Sequence, residues 1–186
     1  LAPYREQHRF FLPLYASLAL FALGASVATG WGAVLMTRNF GFDPGSAGKS
    51  LGAGQMIWAA LGAIVASLIV DRVARRAGAT GKIRLAALLA LAAVPSCLAG
   101  GLDAGWAAAA LLSQVMFVTA VYGTTMLSVI TEVAPAQSRG FAVALYAFVM
   151  TMIGGSLGPL AVAFLTERVF GAPTAVGMSM AIVGSI

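Results

Sequence analysis

Read for polarity alone, the chain alternates long neutral stretches with short charged ones. Six intervals carry no charged residue: Phe10–Thr37, Ser50–Val70, Leu85–Leu102, Ala104–Thr131, Gly140–Thr166 and Val169–Ile186. Most approach the roughly 20 residues a helix needs to cross the ~30 Å hydrocarbon core of a bilayer. They predict six membrane helices, at about 10–36, 49–70, 85–101, 106–131, 140–165 and 174–186. The connections carry the punctuation of helix ends. Asp43-Pro44-Gly45 is turn chemistry with Asp43 or Ser46 as candidate cap, Pro135 breaks the fourth span, and Gly171-Ala172-Pro173 precedes the sixth. Every connection is shorter than about 15 residues, so neither a soluble domain nor a long linker is predicted.

Composition agrees. Mean hydropathy is +0.94, with 60% hydrophobic and only 9% charged residues, whereas soluble domains run about 45–50% apolar and 25% charged. The solvent is lipid, and the fold class is an all-α integral membrane protein. The first span is too long for a signal peptide. The lone Cys97 excludes an internal disulfide and a multi-Cys metal site. One His, one Cys and no nucleophile-elbow or P-loop pattern argue against an enzyme, a metal or a cofactor. A formal charge of +5 raises nucleic acid as a partner. The charges, however, alternate with apolar spans and lack interleaved exposed aromatics, so they read as topology marks. The first residue is Leu and the last interval is still hydrophobic at Ile186, so both ends are read as cut.

The connections alternate between two sides of the membrane. One side holds Arg5, Arg9, Arg72, Arg75, Arg76, Lys82, Arg84 and Arg139; the other holds Arg38, Lys49 and Arg168. Lys/Arg excess marks cytoplasmic loops, so eight against three places the 71–84 and 132–140 connections inside. Asp71 leading into Arg72, Arg75 and Arg76 goes beyond a topology mark. An acid at the membrane face can accept from free N–H groups at a neighbouring helix N-terminus, and the arginines can bridge to carboxylates or helix C-terminal carbonyls.

The segment SLIVDRVARR, Ser67 to Arg76, resembles the loop motif Gly-x-x-x-Asp-Arg-x-Gly-Arg-Arg of the major facilitator superfamily, with Ser67 and Ala74 in place of its glycines. The segment VAPAQSRGFAVALYAFVMTMIGGSLGP, Val133 to Pro159, is similar to the Pro-x-x-x-Arg-Gly loop and following Gly-rich helix of the spinster-like branch. An aromatic-rich first span with Trp31, leading into Phe40-Gly41-Phe42 and a Gly-rich second span, is a third similarity. The resemblance implies that the six spans are the seventh to twelfth helices of a twelve-helix carrier. The chain is then the C-terminal half, built of two inverted three-helix repeats, with Leu1–Arg9 ending a cytoplasmic linker and the N-terminal half as partner. It further implies that the first and fourth spans line a substrate cavity, the third and sixth face lipid, and the second and fifth form the lateral seam.

The residues support the same division. The fourth span carries Ser113, Gln114, Thr119, Tyr122, Thr124, Thr125 and Ser128, while the third is almost purely aliphatic apart from Pro95-Ser96-Cys97. At 100° per residue Gln114, Val121, Thr125 and Ser128 share a narrow face, flanked by Tyr122 and Thr124. Candidates for the cavity are Ser17, Trp31, Gln55, Trp58, Gln114, Tyr122, Thr125 and Ser128. Gly154 and Gly158 form a Gly-x-x-x-Gly packing pair, and Pro159 is expected to kink its helix. None of the six acids lies mid-span, where a carboxylate would cost about 2.5–3.5 kcal/mol and mark an ion path; if transport is proton-driven, the titrating group is expected in the other half. His8 reads as a solvated or headgroup-level residue. Asp71, Arg72, Arg75, Arg76, Glu132 and Arg139 form the expected cytoplasmic latch.

These observations lead to a secondary transporter working by alternating access on a small organic, amphipathic or lipid-like solute. No base lies mid-span, which favours neutral or zwitterionic cargo. The alternative is a self-contained six-helix protein acting as a homo-oligomeric channel or assembly factor. High Ala and Gly content suits a bacterial inner membrane.

Overall fold

The computed structural model describes residues 8–185, with side chains from Phe10. Residues 1–7 of the linker expected over 1–9, the side chains of His8 and Arg9, and Ile186 lie outside the described part. Helix α1 (His8–Phe40) is followed by α2 (Pro44–Cys97), a short 3-10 turn at Ala99–Gly101, and α3 (Gly105–Val133). The run from Arg139 to Val169 comprises α4 (Arg139–Phe148), a π turn at Val149–Gly154, α5 (Gly155–Phe164) and a second π turn at Leu165–Val169. After a 3-10 turn at Pro173–Ala175 comes α6 (Val176–Gly184). There is no strand among the described residues.

Helix ends follow local chemistry. The chain leaves α1 through Gly41 at φ +67, and the Phe42 N–H bonds back to the Met36 carbonyl at 3.2 Å. Asp43 then caps α2. Its carboxylate accepts from the Gly45 and Ser46 N–H groups at 2.9 and 3.0 Å and from the Ser46 hydroxyl, with Pro44 at the first helical position. The Ser46 hydroxyl, then the Gly45 and Ser46 amides, hold the Asp43 carboxyl below its ordinary value.

Helix α2 contains the main departure from the six-span expectation. The basic segment 71–84 is helical on both sides of Gly78 rather than a loop. A straight helix over Pro44–Gly101, 58 residues, would be about 87 Å long, nearly three hydrocarbon cores. It is not straight. Gly78 has φ 55 and ψ −150, a conformation essentially open only to glycine, and the contacts on α3 show that the chain reverses there. Gly54 lies on Ser113 and Gly62 on Phe117 and Ala120, so the first limb, 44–77, runs parallel to α3. Ser96 meets Gln114 while Lys82 meets Ser128 and Glu132, so the second limb, 79–97, runs antiparallel. Gly81 completes the hairpin: a Cβ there would stand 2.5 Å from the Ala77 Cβ and 3.0 Å from Val73 Cγ1. One residue replaces a loop because glycine permits the reversal and arginine- and alanine-rich flanks stay helical.

Helix α3 is the axis of the bundle, flanked by both limbs of α2 and touched by α1 and α4. The opposite wall joins α1 to the last third of the chain. Gly154 and Gly158 press on Ala22 and Ser26 of α1 so closely that a Cβ at either would overlap them. Helix α5 continues through Pro159, with the widened π turn on its N-terminal side. The core is apolar, but so is much of the outer surface, and several hydroxyls are buried. Leu12, Met56, Leu68, Leu88, Leu91, Trp106 and Leu160 are exposed, whereas Ser96, Ser113, Thr125, Thr166 and Ser179 are buried. Exposed leucine around buried hydroxyls is the pattern of a lipid-embedded bundle.

Candidate functional site

Most polar residues of α3 go inward, Thr124 and Glu132 being exposed. Gln114 accepts from the Ser96 hydroxyl at 3.2 Å and donates to the Ala92 carbonyl at 3.4 Å. Thr125 is fully buried and donates to the Val121 carbonyl at 2.7 Å. Ser128 accepts from Lys82 at 2.8 Å. The narrow face carrying Gln114, Thr125 and Ser128 therefore looks onto the second limb of α2. Tyr122, 2% exposed, stacks on Phe21 of α1 with ring centroids 3.6 Å apart, and the Ser17 hydroxyl interacts with its phenol. The Ser17 hydroxyl also donates to the Leu14 carbonyl at 2.8 Å.

The other candidates are distributed around this axis. Trp31 donates its indole N–H to the Pro159 carbonyl at 3.0 Å, tying α1 to α5. Trp58 meets Phe117 edge to face at 5.9 Å. Gln55 is half-buried and makes no side-chain hydrogen bond among the described residues. A different stripe of α3 is partly open: Ala110 and Thr124 are exposed and Thr131 is half-buried, while Phe117 between them packs on Trp58. Thr119 Oγ1 is buried and has no partner among the described residues.

Between α1 and the second limb of α2 lies a cavity of about 530 Å³, lined mostly by apolar side chains. Ser17, Cys97 and Tyr122 reach it, and Gly184 and Ser185 close one end. It is an apolar groove, with Leu20, Ile83 and Leu91 of its lining exposed at the surface. No group of His, Cys, Asp or Glu that could hold a metal occurs among the described residues.

At the basic end, the expected latch residues are not gathered as a set. Asp71, Arg72, Arg75, Arg76 and Arg139 are exposed and make no ion pair among the described residues. Glu132 is paired, but with Lys82: Nζ to Oε2 is 2.6 Å. Lys82 is 5% exposed, while the Glu132 side chain is 50% exposed. Sequence reasoning counted Lys82 only as a topology mark. The available signal was that Lys82 and Glu132 carry opposite charges at the same end of neighbouring spans.

The chain matches the model of the Major Facilitator Superfamily over residues 3–159. It belongs to that superfamily. Neither curated proteins nor solved structures give a match. The membership and the four helical stretches long and apolar enough to cross a bilayer make this a multi-pass integral membrane transporter.

Proposed function

We propose that this member of the Major Facilitator Superfamily is the C-terminal half of a spinster-like carrier. It works with an N-terminal half to move a small organic, amphipathic or lipid-like solute across a bacterial inner membrane by alternating access. The observation that carries this reading is the placement of the polar helix α3. It lies at the axis of a bundle whose outer surface is leucine-rich, and one stripe of it keeps Ala110 and Thr124 exposed and Thr131 half-buried. A water-facing wall needs such a stripe, because hydroxyls tolerate water and most lipid-facing surface carries none. Gln55, which makes no side-chain hydrogen bond among the described residues, is the further side chain available to a solute. Gln114, Tyr122 and Ser128 support that wall from behind, and Trp31 ties α1 to α5.

The cargo is neutral or zwitterionic. Lys82, the buried cation, is neutralised by Glu132 and offers no free charge to an anion. Uptake into proteoliposomes tests this. A zwitterionic lysolipid or neutral amphiphile should accumulate and compete with itself, and Thr124→Trp should abolish uptake while the protein remains folded. Saturable uptake of a small dianion with no uptake of either amphiphile would overturn the cargo assignment. Retention of full uptake by Thr124→Trp would overturn the assignment of the wall.

A further inference from the structure

The groove between α1 and the second limb of α2 has two unlike ends. Its walls run from Leu14 to Ala25 on α1 and from Ile83 to Cys97 on α2, starting at the basic end. At the far end α6 stops it. A Cβ on Gly24 would stand 3.3 Å from the Gly184 carbonyl oxygen, and one on Gly184 would overlap Cys97 Sγ. At 1.5 Å per residue the walls are about 16–21 Å long, against about 15 Å of hydrocarbon in one leaflet. Leu20, Ile83, Ala87 and Leu91 are exposed along them, so the groove is open sideways. It has the depth of one leaflet, a blind end and an open flank. Its apolar lining disfavours water, and in a bilayer the filler of matching shape is a single acyl chain.

Charge at the open end selects among lipids. Arg72, Arg75, Arg76, Lys82, Arg84 and Arg139 lie there with Asp71 and Glu132, six cations to two carboxylates. Lys82 is taken up by Glu132. Arg84 is exposed, makes no ion pair among the described residues, and stands two turns before Leu91 on the same rim. A guanidinium in that position can donate two parallel hydrogen bonds to a phosphate. We propose that the groove holds a resident anionic phospholipid of the leaflet at the basic end, with one acyl chain between α1 and the second limb and its phosphate on Arg84. It is not the cargo site. At 100° per residue Tyr122 and Met126, which line the groove, each lie about 200° from Thr124, so groove and solute wall are on opposite sides of α3. The assignment needs only the bilayer and does not depend on what the carrier moves.

The test is fluorescence quenching by brominated lipid. A fluorophore is attached at Leu91→Cys on the rim, or at Leu160→Cys on the exposed side of α5 as a control away from the groove, both in a Cys97→Ala background. The protein is reconstituted in phosphatidylcholine vesicles. Leu91 lies about 10 Å along the helix from Arg84, level with bromines at mid-chain. Phosphatidylglycerol brominated there should quench the Leu91→Cys reporter at about fivefold lower mole fraction than phosphatidylcholine with the same chains, the preference one basic residue gives at a membrane surface. Arg84→Gln should remove the preference, and so should Ala87→Phe, which fills the groove. The Leu160→Cys reporter should show none. Equal quenching by the two lipids at Leu91→Cys would overturn the proposal and leave ordinary bilayer contact. A preference that survives Arg84→Gln, or one equally strong at Leu160→Cys, would also overturn it, since either marks the general pull of a basic surface. Absence of quenching by either lipid at Leu91→Cys would overturn it as well, because protein would then cover the groove.

Discussion

The two limbs of α2 pack on the same helix by different means. The first limb, 44–77, approaches α3 through glycine: Gly54 sits on Ser113 and Gly62 on Phe117 and Ala120, with Trp58 against the Phe117 ring. The second limb, 79–97, is tied by polar groups, with Ser96 and the Ala92 carbonyl on Gln114 and Lys82 on Ser128 and Glu132. In lipid, burying leucine against leucine gains little over leaving it among acyl chains. Association must therefore come from close backbone approach or from hydrogen bonds, and α3 uses one on each side. The first mode depends on shape and fails when volume is added. The second depends on charge and donors and fails when one partner is removed.

The largest effect should come from breaking the shape side. A Cβ on Gly62 would lie 2.8 Å from the Phe117 carbonyl oxygen and 2.9 Å from the Ala120 Cβ, both on α3. Gly62→Leu should cost about 3 kcal/mol or more, seen as a large fall in unfolding temperature in detergent. A variant as stable as the parent would mean that the limb is free to step back. Breaking the charge side comes next. Lys82→Gln leaves Glu132 unpaired, and because that carboxylate is half-exposed the loss should be about 1–3 kcal/mol, between the values for surface and fully buried pairs. Adding Glu132→Gln should recover part of it, which a double-mutant cycle would measure.

A smaller effect sharpens the contrast. Ser96→Ala removes one neutral hydrogen bond to Gln114 and should cost about 0.6 kcal/mol, the average for such bonds between membrane helices. If it cost as much as Lys82→Gln, the charge on Lys82 would not be what distinguishes that end. The smallest effect concerns the start of α2. The Asp43 carboxyl titrates below its ordinary 3.8 because the Ser46 hydroxyl and the Gly45 and Ser46 amides bind its ionised form. A depressed folded value means that the cap's contribution is complete above about pH 3.8 and is lost as pH falls through the lowered value. The protection of the Gly45 and Ser46 amides, exchange measured relative to the intrinsic rate at the same pH, should fall only in that acid range, and Asp43→Asn should flatten the dependence.

Much of the architecture was legible because hydropathy and helix punctuation are local. The neutral intervals locate the apolar helical stretches, and Asp43-Pro44-Gly45 announces a cap that the backbone then uses. The reversal at Gly78 was less legible. Val73–Ala77 is rich in alanine and arginine, and helix resumes at Ala79 in spite of Thr80 and Gly81, so the chain turns at one glycine where composition suggested a loop. The polar face of α3 shows a different limit. A helical wheel assigns Gln114, Thr125 and Ser128 to one face, but nothing in the wheel says what that face meets. It meets the second limb of α2, leaving Thr124 on the open side.

The amino-acid sequence by itself determined that this protein lives in lipid, as a bundle of apolar helices with its basic residues concentrated at one end, because transfer of each segment into a bilayer depends on that segment alone. Only the tertiary structure decided that Lys82 is the partner of Glu132, 50 residues away. Competing arginines lie at the same end, and charge selects no single one of them. The hairpin at Gly78 and Gly81 makes the choice by fixing where the second limb meets α3.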